Sequence, residues 1–195
     1  MITMLKIGIA IPCHKRDEKY LPYCLQSVYN LNPKSYKLDV KINEGLPSMQ
    51  QILTDLYDGL FKKGCDVILR TDVDFLLFPH ILKGVDANRV TTFLPLNRKL
   101  YDIIFYLHKL SPLKTWSGCY SIPKDLWTNK IKQRFDGTET SVRKSAGKWK
   151  TGGFAYYALR PYVHKHTVEM LKTFSLPKRI VWQLIRFKAV RMDAN

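Results

Sequence analysis

Two carboxylates, Asp72 and Asp74, stand where the surrounding sequence would otherwise bury hydrocarbon. In VILRTDVDFLLFP (67–79), Val67, Ile68 and Leu69 read as a short buried strand, and Phe75 to Phe78 resume the apolar run. If the chain stays extended, positions i and i+2 share a side, so the two acids would project together. Adjacent carboxylates repel unless a cation or strong donors neutralise them. A hard divalent ion such as Mg²⁺ or Mn²⁺ meets that need and also holds phosphate oxygens. Aspartates at strand ends also cap turns, so the pair has a purely local reading as well. Its place after a buried strand favours chemistry, because ligands of α/β sheets collect at the carboxyl edge.

The elements that must position this pair are legible upstream. IGIAIP (7–12) reads as a buried strand, and Leu21, Cys24, Leu25 and Val28 recur at helical spacing before Asn32-Pro33. Leu38, Val40 and Ile42 alternate with polar residues as in a half-buried strand. Ser48, with Gln51 three residues later, gives a capping-box start to an amphipathic helix carrying Met49, Ile52, Leu53, Leu56 and Leu60, and Gly64 fits its end. Strand and helix alternating in this way predict βαβ units in an α/β fold, a three-layer sandwich with a mostly parallel central sheet. Downstream, 101–110 reads as helix, WSGCYSIP (116–123) as a strand opened by a close-approach glycine, FDGTETSVRKSAGK (135–148) as a polar turn leading into a short helix, and GGFAYYALRPY (152–162) as a strand.

Composition narrows the class. The 195 residues, 46% hydrophobic and 12% aromatic, suit one packed domain, and no stretch approaches a membrane span. The apolar run from Ile7 to Ile11 is too short for a secretory leader. Cys13, Cys24, Cys65 and Cys119 lack CxxC spacing, which argues against a zinc site or a disulfide framework and for a reduced, cytoplasmic chain. A net charge of +16 implies an anionic partner: nucleic acid, an acidic membrane or a phosphorylated substrate. Lys and Arg are spread along the chain without a nucleic-acid module, so no specific nucleic acid is expected. Lys178, Arg179, Arg186, Lys188 and Arg191 are interleaved with Ile180, Val181, Trp182, Leu184, Ile185 and Phe187. A helix over 178–192 could lie on an anionic membrane surface, pack on the domain or mediate a dimer.

Three motifs in order resemble a glycosyltransferase of the GT-A fold, the nucleotide-diphospho-sugar transferase type. They are IPCHKR (11–16) after the first strand, NEGLPSMQQIL (43–53) opening a helix, and Asp72-Val73-Asp74 followed by Pro79. The resemblance covers about the first 80 residues well and the rest loosely. It implies one domain over 1–195, with a nucleotide-sugar-binding half (1–95), an acceptor half (96–176) and a basic, apolar C-terminal segment (177–195). It implies transfer of a sugar from a nucleotide-diphosphate donor to the hydroxyl of a glycan, glycoprotein or glycolipid, with Mn²⁺ or Mg²⁺ stabilising the leaving diphosphate. Asp74 would coordinate the ion, Asp72 would reach the ion or the ribose, and His164, of the His164-Lys165-His166 stretch, could complete the site. Pro12, His14, Lys15 and Arg16 would border the donor. Glu44 or Asp39 would meet the base or ribose, and Arg70 would either serve phosphate or pair with a nearby aspartate.

An inverting mechanism needs a general base, for which Glu139 is the first candidate and Asp136 the second; their local readings are a helix N-terminus and a turn. Trp116, Tyr120, Trp127 and Trp149 could stack on an acceptor sugar, although most such aromatics are core. A narrower likeness, to glycosyltransferases of viruses of hyperthermophilic archaea, implies a viral glycoprotein acceptor in the host cytoplasm. Two other functions compete. A nucleotidyltransferase would usually carry a glycine-rich loop after the first strand, where this chain has CHKRDEK (13–19). A basic nucleic-acid-binding protein would account for the charge but not for the order of motifs.

Overall fold

The computed structural model describes residues 5–31, 36–43, 48–95, 118–147 and 149–159. By contacts the chain divides into Met1–Ala158 and Leu159–Asn195, and the described strands and helices belong to the first unit. Among the described residues seven strands form one sheet in the order β2-β1-β3-β6-β5-β7-β4. They are β1 (Ile7–His14), β2 (Tyr36–Asn43), β3 (Val67–Arg70), β4 (Phe75–Leu77), β5 (Val90–Pro95), β6 (Tyr120–Pro123) and β7 (Trp149–Ala158). The helices are α1 (Leu21–Tyr29), α2 (Met49–Lys62), α3 (Ile81–Gly84), α4 (Lys124–Leu126) and α5 (Glu139–Ala146). A 3₁₀ helix, Lys15–Tyr20, precedes α1, and α4 runs on through a π turn, Trp127–Ile131, and a 3₁₀ turn, Lys132–Arg134.

The architecture is α/β, with β2, β1 and β3 parallel as the βαβ pattern predicts. The sheet as a whole is mixed: β6 runs antiparallel to both β3 and β5, β5 is parallel to β7, and β4 closes the far edge antiparallel to β7.

The sequence explains how α2 seats itself. Its apolar stripe, Ile52, Leu53, Leu56, Tyr57 and Leu60, is buried against Ala10, Ile68, Tyr120 and Ile122 of the sheet and Trp127, Phe135 and Val142 beyond it. Gly8 lets helix and strand approach, since a Cβ there would sit 3.1 Å from Cys65 Sγ and 3.2 Å from Leu60 Cβ. Ile7, Ile9, Ile11 and Cys13 alternate onto the opposite face and are buried too, which is why β1 reads as an unbroken apolar run. Ser48 caps α2 by accepting the Gln51 N–H at 3.3 Å. The Gln51 side chain departs from the capping-box pattern: its amide donates forward to Asp55 Oδ1 at 2.7 Å, one turn along the helix.

Two sequence expectations are corrected. Pro12 lies in β1, as IGIAIP (7–12) predicts, but Cys13 and His14 are not loop, because the ladder with β2 continues to His14 opposite Asn43. β3 pairs with β1 only as far as Ala10. Pro12 has the parity of Ala10, so its missing N–H faces the side where β3 has already ended. The Asp72–Asp74 segment is likewise not an extended strand. It forms a turn between β3 and β4, closed by the Phe75 N–H donating to the Asp72 carbonyl at 3.2 Å. The i, i+2 argument for a shared side therefore does not apply, and the two carboxylates differ sharply in exposure.

Cys13, Cys24, Cys65 and Cys119 are buried thiols outside any disulfide. Among the described residues no helix is long and apolar enough to cross a membrane. The helix read over 101–110, Glu44, Trp116, the His164-Lys165-His166 stretch and the segment 177–195 lie outside the described residues.

Candidate functional site

Arg70 is the hub of the site. It ends β3 at the carboxyl edge of the parallel strands, opposite Ala10 of β1 and Tyr120 of β6. Its Nη2 donates to Asp72 Oδ1 at 2.5 Å, and its Nη1 lies 3.6 Å from Glu139 Oε1. The Arg70 side chain is 12% exposed, against 25% for Asp72 and 23% for Glu139. The guanidinium also lies over the Tyr120 ring, 5.4 Å from its centroid. Tyr120 is fixed from below by Tyr57 of α2, their hydroxyls 2.9 Å apart in the core. Burial by itself would lower the guanidinium's pKa; Asp72 first, then Tyr120, Tyr57 and Glu139, outweigh it and raise the pKa overall. The same burial pushes the Tyr120 phenol up to about 12 and Tyr57 well above its ordinary value, so both serve as neutral hydrogen-bonding groups.

A second constraint on Asp72 comes from β6. Gly118, two residues before that strand, has no room for a side chain: a Cβ there would overlap Asp72 Oδ2 and lie 2.9 Å from Arg70 Nη1. The close-approach glycine expected from the sequence is thus present, and what approaches it is the candidate carboxylate itself. Asp74, two residues on, is 1% exposed. Both carboxylates act on Cys24 of α1. Burial pushes that thiol up to about 12, with Asp74 and then Asp72 adding to the effect. Cys24 Sγ lies 3.8 Å from the Asp72 carbonyl, and Ser27 Oγ accepts the Leu77 N–H at 3.0 Å. α1 therefore contacts the start of the Asp72–Asp74 turn through Cys24 and the end of β4 through Ser27.

Glu139 reaches the site because α5 begins there. Thr138 caps that helix, its hydroxyl accepting the Ser141 N–H at 3.2 Å, and Glu139 occupies the first turn, where negative charge suits the helix dipole. Asp136 instead serves the turn. Its Oδ1 accepts the Thr138 N–H at 2.8 Å and the Thr138 hydroxyl at 2.6 Å. These bonds, the hydroxyl's first, hold its carboxyl below the usual range, a poorer proton acceptor than an unbonded carboxylate.

The first loop is more ordered than its sequence suggests. Lys15 pairs with Glu18 at 2.7 Å and Arg16 with Asp17 at 3.6 Å, so both cations have local partners. His14 is half-buried at the end of β1. Of the aromatics, Tyr120 and Trp127 are core. Trp127 packs edge-on to Tyr57, with ring centroids 5.0 Å apart, and donates to Asp58 at 2.9 Å. Trp149 is partly buried beneath Arg143.

Among the described residues no three His, Cys, Asp or Glu side chains cluster as a ready-made metal cage. The donors present are nevertheless of the right kind for a hard divalent ion. Mg²⁺-type sites commonly use one or two carboxylates and fill the remaining positions with phosphate oxygens and water. Asp72 and Asp74 are the carboxylates available to such an ion, and Asp72 is the more exposed of the two.

No known protein-family profile and no curated protein sequence matches the chain. Solved structures do share its fold. A glucosyl-3-phosphoglycerate synthase from Mycobacterium tuberculosis, solved with Mn²⁺, UDP-glucose and glycerol 3-phosphate, is 12% identical, with a TM-score of 0.52, and the match covers 80% of this chain and 73% of that one. The same enzyme with phosphoglyceric acid gives 12% identity, a TM-score of 0.50 and the same coverage. A mannosyltransferase from Pyrobaculum calidifontis, in complex with GDP-mannose and Mn²⁺, is 9% identical with a TM-score of 0.41; the match covers 63% of this chain and only 45% of that enzyme. The fold is that of the GT-A glycosyltransferases.

Proposed function

We propose that the chain is a metal-dependent glycosyltransferase that moves a sugar from a nucleotide-diphosphate donor to an acceptor hydroxyl. One observation carries the reading: on a GT-A fold, Arg70 joins Asp72 of the β3–β4 turn and Glu139 of α5 into one charged site. The two acids come from distant segments, and each is the residue that the chemistry would need there. The glucosyl-3-phosphoglycerate synthase of the same fold was solved with Mn²⁺ and a nucleotide sugar, which supports the donor class.

In this mechanism the acceptor oxygen attacks the anomeric carbon of the sugar, and Glu139 takes the hydroxyl proton. The bond from the anomeric carbon to the diphosphate breaks, its electron pair leaving on the phosphate oxygen. A divalent ion held by Asp72 and Asp74 would supply Lewis-acid stabilisation of that leaving charge. Arg70 orients Asp72 and Glu139, and its cationic head adds positive potential where negative charge develops. His14, Pro12 and Arg16 border the donor at the end of β1, and Glu44 and His164 remain donor-side and metal-side candidates. The acceptor is a glycan, glycoprotein or glycolipid. A viral glycoprotein acceptor rests on the sequence resemblance, and a membrane-peripheral role for 178–192 on its interleaved basic and apolar residues.

A thermal-shift panel of UDP-, GDP- and dTDP-sugars with and without Mn²⁺ tests the donor site. A donor that binds only the folded state at a hundredfold excess over Kd should add roughly 2.7 kcal/mol of stability. The expected result is a Mn²⁺-dependent shift with one base, abolished in Asp72→Asn. Shifts that are equal with and without metal, or equal in the variant, would contradict the reading.

A further inference from the structure

We propose that Arg70 is the resident counter-cation of Asp72, so that the divalent ion enters this site together with a nucleotide diphosphate and not ahead of it. The inference rests on the metal-dependent reading above and deepens it.

Asp72 is the more exposed of the two candidate metal carboxylates, and it is already engaged: Arg70 Nη2 bonds its Oδ1 at 2.5 Å. Gly118 crowds its Oδ2. Arg70 has little freedom to withdraw. It ends a central strand, its side chain is 12% exposed, Tyr120 lies beneath it, and Glu139 flanks its other terminal nitrogen. A guanidinium does not lose its proton in a protein, so the cation stays.

A lone Mn²⁺ approaching Asp72 would therefore meet a fixed positive charge beside its ligand, with like charges in a partly desolvated site. A diphosphate changes that balance, because its oxygens bring negative charge to both cations at once. Arg70 Nε is buried and has no hydrogen-bond partner among the described residues, so Asp72 and Glu139 leave the guanidinium's donors incompletely satisfied. Arg70 is thus a positioning residue whose charge couples metal binding to donor binding.

Mn²⁺ binding, read from loss of the free-ion paramagnetic resonance signal, tests this without turnover. Wild type, Arg70→Lys, Arg70→Gln and Asp72→Asn would each be titrated with Mn²⁺ alone and with Mn²⁺ plus UDP or GDP. In wild type, one nucleotide should tighten Mn²⁺ binding at least tenfold. Arg70→Gln should bind Mn²⁺ alone at least tenfold more tightly than wild type, and Arg70→Lys, which keeps the charge, should stay near wild type. Asp72→Asn should lose the site. If wild type binds Mn²⁺ equally well with and without nucleotide, the coupling is overturned by that protein alone, whether or not Arg70→Gln folds. Equal affinity of folded Arg70→Gln and wild type for Mn²⁺ alone would also overturn it, while leaving the glycosyltransferase reading intact. Absence of Mn²⁺ binding in every protein under every condition would remove both.

Discussion

Asp72 sits between a permanent cation and a glycine that cannot acquire a side chain, and this defines how far its carboxylate can move. Gly118→Ala should therefore act through Asp72. The added methyl group would drive the carboxylate off Arg70, with a cost of about 1–3 kcal/mol for overpacking. It should also abolish the Mn²⁺-dependent nucleotide response. Urea unfolding and the thermal-shift panel measure the two effects separately; a variant that keeps the full nucleotide response would mean that Asp72 does not hold the ion. At this scale the sequence was informative wherever one residue type was out of place for its surroundings. The two aspartates interrupt an apolar run, and the glycine opens a strand. Arg70 pairs with a nearby aspartate, Asp72, one of the two readings its sequence allows; its second acid, Glu139, comes on α5, whose approach leaves no local trace. The expected shared side for Asp72 and Asp74 failed because a backbone bond from Phe75 turns the chain there.

Among the elements, α2 does the most to set the site, since it buries the apolar face that supports Tyr57 and, through it, Tyr120 and Arg70. Its start depends on the Ser48 cap. Ser48→Ala should cost about 1 kcal/mol in urea unfolding, in the range for loss of an N-cap side chain. A variant as stable as wild type would show that tertiary packing alone holds that turn. β1 and β3 are legible as short unbroken apolar runs, β2 by its period of two and α2 by its period near 3.6. The 3₁₀ helix after β1 and the α4 region were not anticipated. The first is short and polar, and the second winds through three helical forms over Lys124–Arg134, which blurs any single period. β5 escaped notice for a similar reason: VTTFLP is brief, and its alternation is interrupted by register shifts against β7. β4 was merged with β3 in the sequence reading because the turn between them is flanked by apolar residues on both sides.

For the whole molecule, alternating strand and helix signals predict an α/β sandwich, the resemblance carried by IPCHKR, NEGLPSMQQIL and Asp72-Val73-Asp74 implies a GT-A fold, and solved structures of that fold agree with it at 12% identity. The net charge of +16 was ambiguous at this scale, since an anionic donor and a nucleic acid both fit it. The proposed sugar transfer gives the two acids that meet Arg70 a use, as a metal-side carboxylate and a base, which nucleic-acid binding alone does not.

The most direct measurement is release of nucleotide diphosphate from UDP-, GDP- and dTDP-sugars in the presence of Mn²⁺, by wild type, Asp72→Asn and Glu139→Gln. The account predicts release from one donor class by wild type, falling at least a hundredfold in both variants, while Glu139→Gln keeps its Mn²⁺-dependent donor binding and Asp72→Asn does not. Release unchanged in both variants, or no release from any donor alongside tight, salt-dependent binding of DNA or RNA, would contradict it.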